Sequence, residues 1–163
     1  MIHLDKDIFE YDKEKLTIIG HGCNCIGSYS AGFAGVVANN YPEAKWKYYA
    51  HIEANEDYPS FLAGTVNLVK VEDNLIIANL FTQVQPGPNA KIGYIIEALD
   101  KLTSYNFGKD VDIRIPMIGA GIGGLDPDDV LWSLLYLSGD LDVYIMSADG
   151  HKISDEVVAK HNS

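Results

Sequence analysis

Apolar residues at Ile92, Ile95, Ile96, Leu99 and Leu102 recur at i, i+3, i+4, i+7 and i+10, the stripe of an amphipathic helix. Val111 to Ile115 instead alternates apolar and polar, as a strand does, and runs into Pro116-Met117-Ile118. Leu16-Thr17-Ile18-Ile19 reads as a short buried strand ending at Gly20. Thr65–Val69 and Leu75–Phe81 read as two more, with Glu72-Asp73-Asn74 as the turn between them. Leu141–Ile145 completes the set of strands. Helix starts are marked by proline. Pro42 suits the first turn of a helix carrying Trp46, Tyr49 and Ile52. Asp126-Pro127-Asp128-Asp129 supplies a carboxylate cap, a proline at the first helical position and acids at the positive end of the dipole. Val130, Leu131, Leu134, Leu135 and Leu137 are that helix's expected buried face, and Ser154 to His161 predicts a terminal helix. Alternating strands and helices predict a three-layer α/β/α domain with a mixed, mainly parallel central sheet. Ligands in such sheets sit beyond the carboxyl ends of the strands.

Two strand ends lead into glycine-rich loops. The first runs from His21 through Gly22-Cys23-Asn24-Cys25 to Gly35, its small-residue stretch from Gly27 to Gly35 preceding a helix through Val36 and Val37. The second runs from Ile118 through Gly119-Ala120-Gly121-Ile122-Gly123-Gly124 to Asp126. Such loops point several backbone N–H groups into one concavity, which suits an anion. Tight turning alone would explain one of them; two, each after an apolar strand, argue for a phosphate or diphosphate site. Gly119, Gly121 and Gly124 match G-x-G-x-x-G, but a dinucleotide fingerprint belongs on the first βα turn, whereas this one follows a late strand.

The charge balance sharpens that reading. Twelve basic against twenty-three acidic residues give a net charge of −11, a poor field for duplex DNA. Arg114 is the sole arginine, so bound phosphates must rely on main-chain donors. Two cysteines, Cys23 and Cys25, are too close for a framework disulfide and too few for a zinc site. With no leader and no apolar run of the ~20 residues a membrane span needs, a cytoplasmic protein without membrane contact is expected, in the host cytoplasm if the source is viral. At 163 residues the chain reads as a single domain, 1–163, and as a monomer.

These residues together resemble the macro domains that bind ADP-ribose. The resemblance covers nearly the whole chain: Asp7-Ile8, His21-Gly22-Cys23-Asn24-Cys25 with Ala31-Gly32-Phe33-Ala34, Tyr41-Pro42-Glu43-Ala44, Asn79-Leu80-Phe81-Thr82-Gln83, and Ile115 through Asp126. The His-Gly-Cys-Asn-Cys variant looks most like the branch that removes phosphate from ADP-ribose 1″-phosphate. The resemblance implies that Asp7 accepts from the adenine amino group, with Ile8 beside the ring. It implies that Asn24 meets the distal ribose and that backbone around Gly32, Phe33 and Ala34 lines the diphosphate and distal ribose from one side. Gly119, Ala120, Gly121, Ile122 and Gly123 would close over it from the other side. An aromatic near the last strand usually stacks on adenine; Tyr144 is nearby, at a spacing too loose to assign it.

His21, Asn24 and Asp126 are the catalytic candidates. His21 is suited to act as a base on water, an acid toward the leaving oxygen or a phosphoryl acceptor; the alternative is a strand-end histidine bonded to a neighbouring carbonyl. Asp126 is a carboxylate at the loop end, or simply a helix cap. The cysteines read as small buried hydrophobes, since a thiolate needs positive neighbours. His3, His51, His151 and His161 show no zinc-ligand spacing, so no metal and no cofactor is expected. A related branch that strips ADP-ribose from macromolecules uses a lysine where this chain has Gln83, and Lys91 lies eight residues on. The expected ligand is ADP-ribose or ADP-ribose 1″-phosphate, with hydrolysis of the latter. A non-catalytic ADP-ribose-binding module and an ADP-ribosyl hydrolase are the alternatives.

Overall fold

The computed structural model describes residues 1–137 and 140–163. Along the chain lie β1 (Ile2–Leu4), β2 (Thr17–Asn24), α1 (Gly32–Asn40), α2 (Pro42–Glu53), β3 (Val66–Glu72), β4 (Leu75–Gln83), α3 (Ile92–Ser104), β5 (Asp112–Pro116), α4 (Pro127–Leu134), β6 (Asp142–Ile145) and α5 (Asp155–Asn162). The six strands form one sheet in the order β1-β6-β5-β2-β4-β3. The pairs β1/β6, β6/β5, β5/β2 and β2/β4 are parallel, and β3 adds an antiparallel edge to β4. Five strands therefore present their carboxyl ends along one edge.

Period-two alternation in the central strands distributes side chains to two cores. Ile18, Ala78, Leu80, Ile115, Val143 and Ile145 pack with α3, α4 and α5 on one face. Ile19, Cys23, Leu75, Ile77 and Phe81 pack with α1 and α2 on the other. Because both faces are covered, β2 and β4 read as apolar runs rather than half-polar strands. Each fully buried branched or aromatic side chain contributes roughly 1.5–3 kcal/mol. The stripe on α3 buries Ile95, Leu99 and Leu102, together with Ala98. On α2 the buried residues are Ala44 and Tyr48, while Trp46 faces outward.

Two expectations change. α4 ends at Leu134, so Leu135 is exposed and the helix buries only Val130, Leu131 and Leu134. β2 does not stop at Gly20 but continues to Asn24, in parallel register with β4. The small residues Gly20 and Gly22 permit this, because a Cβ on either would press against Leu80, Ile115 or Thr82. His21 is consequently a strand residue, not a loop residue.

Candidate functional site

A cleft of about 850 Å³ crosses the carboxyl edge of the sheet. Its wall is built from the segments after β1 (Asp5 to Phe9), β6 (Met146, Asp149, His151), β5 (Met117 to Gly119 and Gly121 to Gly123), β2 (Ser28, Ala31 to Ala34, Val36) and β4 (Pro86, Gly87). Five strands spaced 4.7–4.9 Å apart give it a span of roughly 19 Å. The charged wall residues Asp5, Lys6, Asp7 and Asp149, together with His151, all come from the β1 and β6 ends. The β5, β2 and β4 ends contribute glycines, apolar groups and the neutral polar Asn24, Ser28, Thr82 and Gln83, with the Cys23 thiol beside them.

The two glycine-rich loops face one another across the cleft. Gly32 has φ +57°, the left-handed region that suits glycine. A Cβ there would lie 3.2 Å from the Ile122 side chain of the opposite loop. α1 begins at Gly32 behind Ala31, which makes no side-chain cap. By helix geometry the amides of Gly32, Phe33 and Ala34 therefore lack intrahelical acceptors. In contrast, Asp126 and Ser154 cap α4 and α5. Across the cleft, Leu125 N–H donates to the Gly119 carbonyl at 2.9 Å and Gly124 N–H to the Gly121 carbonyl at 3.2 Å, which folds the second loop back on itself. Among the described residues, no protein acceptor meets the amides of Gly119 through Gly123. An uncapped helix start and a curl of open amides thus share one concavity, an arrangement suited to an anion without any cationic side chain.

Asn24 lines the cleft and organises its own loop. Its Oδ1 accepts from Ile26 N–H and Ser28 N–H, each at 3.2 Å, and from the Tyr48 hydroxyl at 2.9 Å. Its Nδ2 donates to the Ser28 carbonyl at 2.8 Å, leaving one amide hydrogen for a ligand. Asp7 is exposed in the wall, with Oδ1 accepting from Phe9 N–H at 2.9 Å and Oδ2 free to accept from elsewhere. Ile8 is buried beside it.

Three candidates are placed elsewhere. His21 is 1% exposed and does not line the cleft. Its Nε2 lies 2.7 Å from the Tyr29 hydroxyl and 2.8 Å from Asn79 Oδ1, an arrangement that makes Nε2 the protonated nitrogen. Asn79 is held in that orientation by donating to the Ala44 carbonyl and to Asn67 Oδ1. Burial depresses the imidazole pKa to about 4, against a smaller upward pull from Asn79. Cys23 and Phe33, which do line the cleft, stand against the imidazole. The histidine is thus a neutral buried hub outside the cleft wall. Asp126 likewise lies outside the cleft wall, where its Oδ1 accepts from Asp129 N–H at 3.1 Å as the cap of α4. Ala120 also lies outside the wall.

Other groups fall as follows. Both cysteines are buried free thiols. Burial pushes Cys25 up to about 11 and Cys23 well above its ordinary value. Gln83 lines the cleft and ties down the 85–87 turn by donating to the Gln85 and Gly87 carbonyls, whereas Lys91 is not in the wall. Tyr144 reaches the wall with both faces occupied, stacked on His3 from the β1 side at 4.6 Å and under Arg114 from the β5 side at 4.9 Å. Asp149 and His151 line the cleft without being among the binding residues expected from the sequence. The available signal was the rule that every loop after a parallel strand borders the ligand edge, which includes the loop after β6. Among the described residues, no cluster of three or more His, Cys, Asp or Glu is placed to hold a metal ion, and no helix is long and apolar enough to cross a membrane.

No family model matches the sequence. It is similar to proteins named ADP-ribose 1″-phosphate phosphatase. The identity is 31% over 72 residues with that of Meyerozyma guilliermondii, covering 44% of this chain and 41% of that one. It is 35% over 105 residues with that of Saccharomyces cerevisiae, covering 60% and 58%. Both matches span less than two thirds of the relative. With that of Lodderomyces elongisporus it is 28% over 145 residues, covering 81% and 88%. Among solved structures, a macrodomain protein from Streptomyces coelicolor superposes with TM-score 0.70 at 22% identity, covering 88% of this chain and 98% of that one. Thermosipho africanus DarTG in complex with ADP-ribose superposes with TM-score 0.65 at 19% identity, covering 80% and 38%. The chain is thus a macrodomain in fold, and its sequence is akin to those of proteins named ADP-ribose 1″-phosphate phosphatase.

Proposed function

We propose that the cleft binds ADP-ribose derivatives and that the chain hydrolyses ADP-ribose 1″-phosphate to ADP-ribose and phosphate. The observation that carries the reading is the convergence of two sets of open amides on one cleft. The names of the sequence relatives and the ADP-ribose complex of a fold neighbour point the same way. Asp7 Oδ2 receives the adenine amino group, with Ile8 beside the ring. The diphosphate lies between Gly32–Ala34 and Gly119–Gly123. The distal ribose and its 1″-phosphate reach the neutral end, near Asn24 and the turn that Gln83 holds.

Hydrolysis there breaks the P–O bond to the anomeric oxygen as water attacks phosphorus. Phosphoryl transfer runs through a loose transition state whose charge sits on the equatorial oxygens, so positioning and hydrogen-bond donation supply most of the catalysis. That suits a cleft end rich in N–H groups. The same end carries no histidine, carboxylate or lysine in its wall among the described residues, and this favours a second reading, a module that binds ADP-ribose without turning anything over.

Phosphate release from ADP-ribose 1″-phosphate, measured beside calorimetric titration of ADP-ribose, separates the two. Binding with turnover is the expected result. Binding alone makes the chain a binding module, and absence of both overturns the proposal.

A further inference from the structure

The chain's one arginine is spent inside the protein. Arg114, on β5, is 8% exposed and lines no part of the cleft. Its Nη1 donates to two main-chain carbonyls, Ile8 at 3.0 Å and Glu10 at 2.7 Å. Its Nε donates to Asp112 Oδ2 at 2.9 Å, and Nη2 lies 2.9 Å from the same oxygen. The guanidinium carbon lies over the Tyr144 ring, 4.9 Å from its centroid. The carbonyls it grips belong to residues 5–16, which form neither helix nor strand. This segment puts Asp7 and Ile8 into the cleft wall. On its other side it is held by Asp5, which accepts from Ser147 N–H at 2.7 Å and from the Ser147 hydroxyl at 2.6 Å.

We infer that Arg114 is a positioning residue for base selectivity: by bracketing Ile8 and Glu10 it fixes the Asp7 carboxylate toward the ligand's purine. The inference rests on the ADP-ribose reading above and assigns what sets its selectivity. Free of the clamp, a loop without regular structure has many conformations in which Asp7 does not face the base. The geometry also explains why the position takes arginine. One planar group donates to two carbonyls, pairs with a carboxylate and places its charge over a ring, and a lysine ammonium lacks that fork. Asp112 leans on the same group, because its other oxygen is buried without a protein partner among the described residues.

The test compares ADP-ribose with its hypoxanthine counterpart, which carries a carbonyl where adenine carries the amino group. Calorimetry on the wild-type protein should show about a tenfold preference for adenine, the worth of one charge-assisted hydrogen bond at an exposed site. Arg114→Lys should bring that preference close to one, as Asp7→Ala does, while binding of the hypoxanthine ligand changes little. The double variant Asp112→Asn with Arg114→Gln removes both charges together, so no buried carboxylate is orphaned, and should behave the same way. Melting curves establish that each variant folds. Folded variants that keep the adenine preference overturn the role of Arg114 alone. Wild-type protein that binds neither ligand overturns the function on which the inference rests.

Discussion

Gly123→Ala should abolish ADP-ribose binding and turnover while the protein still folds. Gly123 is buried in the second glycine-rich loop, at a backbone conformation alanine can adopt. The obstacle is space: an added Cβ would sit 2.7 Å from the Ala90 Cβ and 2.7 Å from the Gly119 carbonyl oxygen. Neither atom can rotate away. The Gly119 carbonyl already accepts from Leu125 N–H, and Ala90 N–H donates to the Gly123 carbonyl at 3.1 Å. The loop must therefore move as a body. Overpacking of this kind costs about 1–3 kcal/mol, which a domain of ordinary stability survives. A displacement of about 1 Å in the donors costs on the order of 100-fold in rate, and the diphosphate loses its grip on that side. Gly93→Ala serves as the control, because a Cβ there meets nothing within 4 Å, so binding and melting temperature should hold or rise slightly. Unchanged ADP-ribose affinity in folded Gly123→Ala would remove this loop from the site.

His21→Ala should show its largest effect in stability. The imidazole fills space between Tyr29, Asn79 and Phe33 and engages Tyr29 and Asn79 by hydrogen bonds. Truncation leaves a cavity and a less satisfied Asn79 Oδ1, together costing about 3–5 kcal/mol. Turnover then falls because the neighbouring wall residues Cys23 and Phe33 lose their backing. The pH dependence separates this account from general acid–base catalysis by the histidine. With a folded pKa near 4 against an ordinary value of 6.5, the neutral form is the one the fold favours. Between those values the unfolded chain binds a proton that the folded chain refuses. The stabilisation, about 3 kcal/mol, is complete above pH 6.5 and drains away as pH falls toward 4. Denaturant unfolding of wild type and His21→Gln across pH 4–7 should show the steeper decline in wild type, and the turnover profile near neutrality should carry no inflection from His21. An imidazole that titrates near 6.5 by NMR would contradict this.

Much of the architecture was legible because its signals are local. The five apolar positions of α3 announce one face, and Asp126-Pro127 announces both the start of α4 and its cap. The glycine-rich loops were legible as turns at the ligand edge of the sheet, because composition and position after apolar strands suffice. What depends on distant partners was not legible. β1 is three residues long with one buried side chain, too short for any periodicity. His21 lies eight residues from Tyr29 and fifty-eight from Asn79, so only the paired strands reveal that its ring is spent. Asp149 and His151 border the cleft because β6 is inserted between β1 and β5, an order the chain sequence does not display. Arg114 was noticed for its rarity, but its grip on Ile8 and Glu10 spans more than a hundred residues.

Main-chain amides from two facing loops should hold the diphosphate without cationic side chains. A crystal structure of the protein with ADP-ribose bound tests it most directly. Diphosphate oxygens are expected at about 2.7–3.2 Å from amides of Gly32–Ala34 on one side and of Gly119–Gly123 on the other. A diphosphate held by lysine side chains, or by one loop with the other turned away, would contradict it.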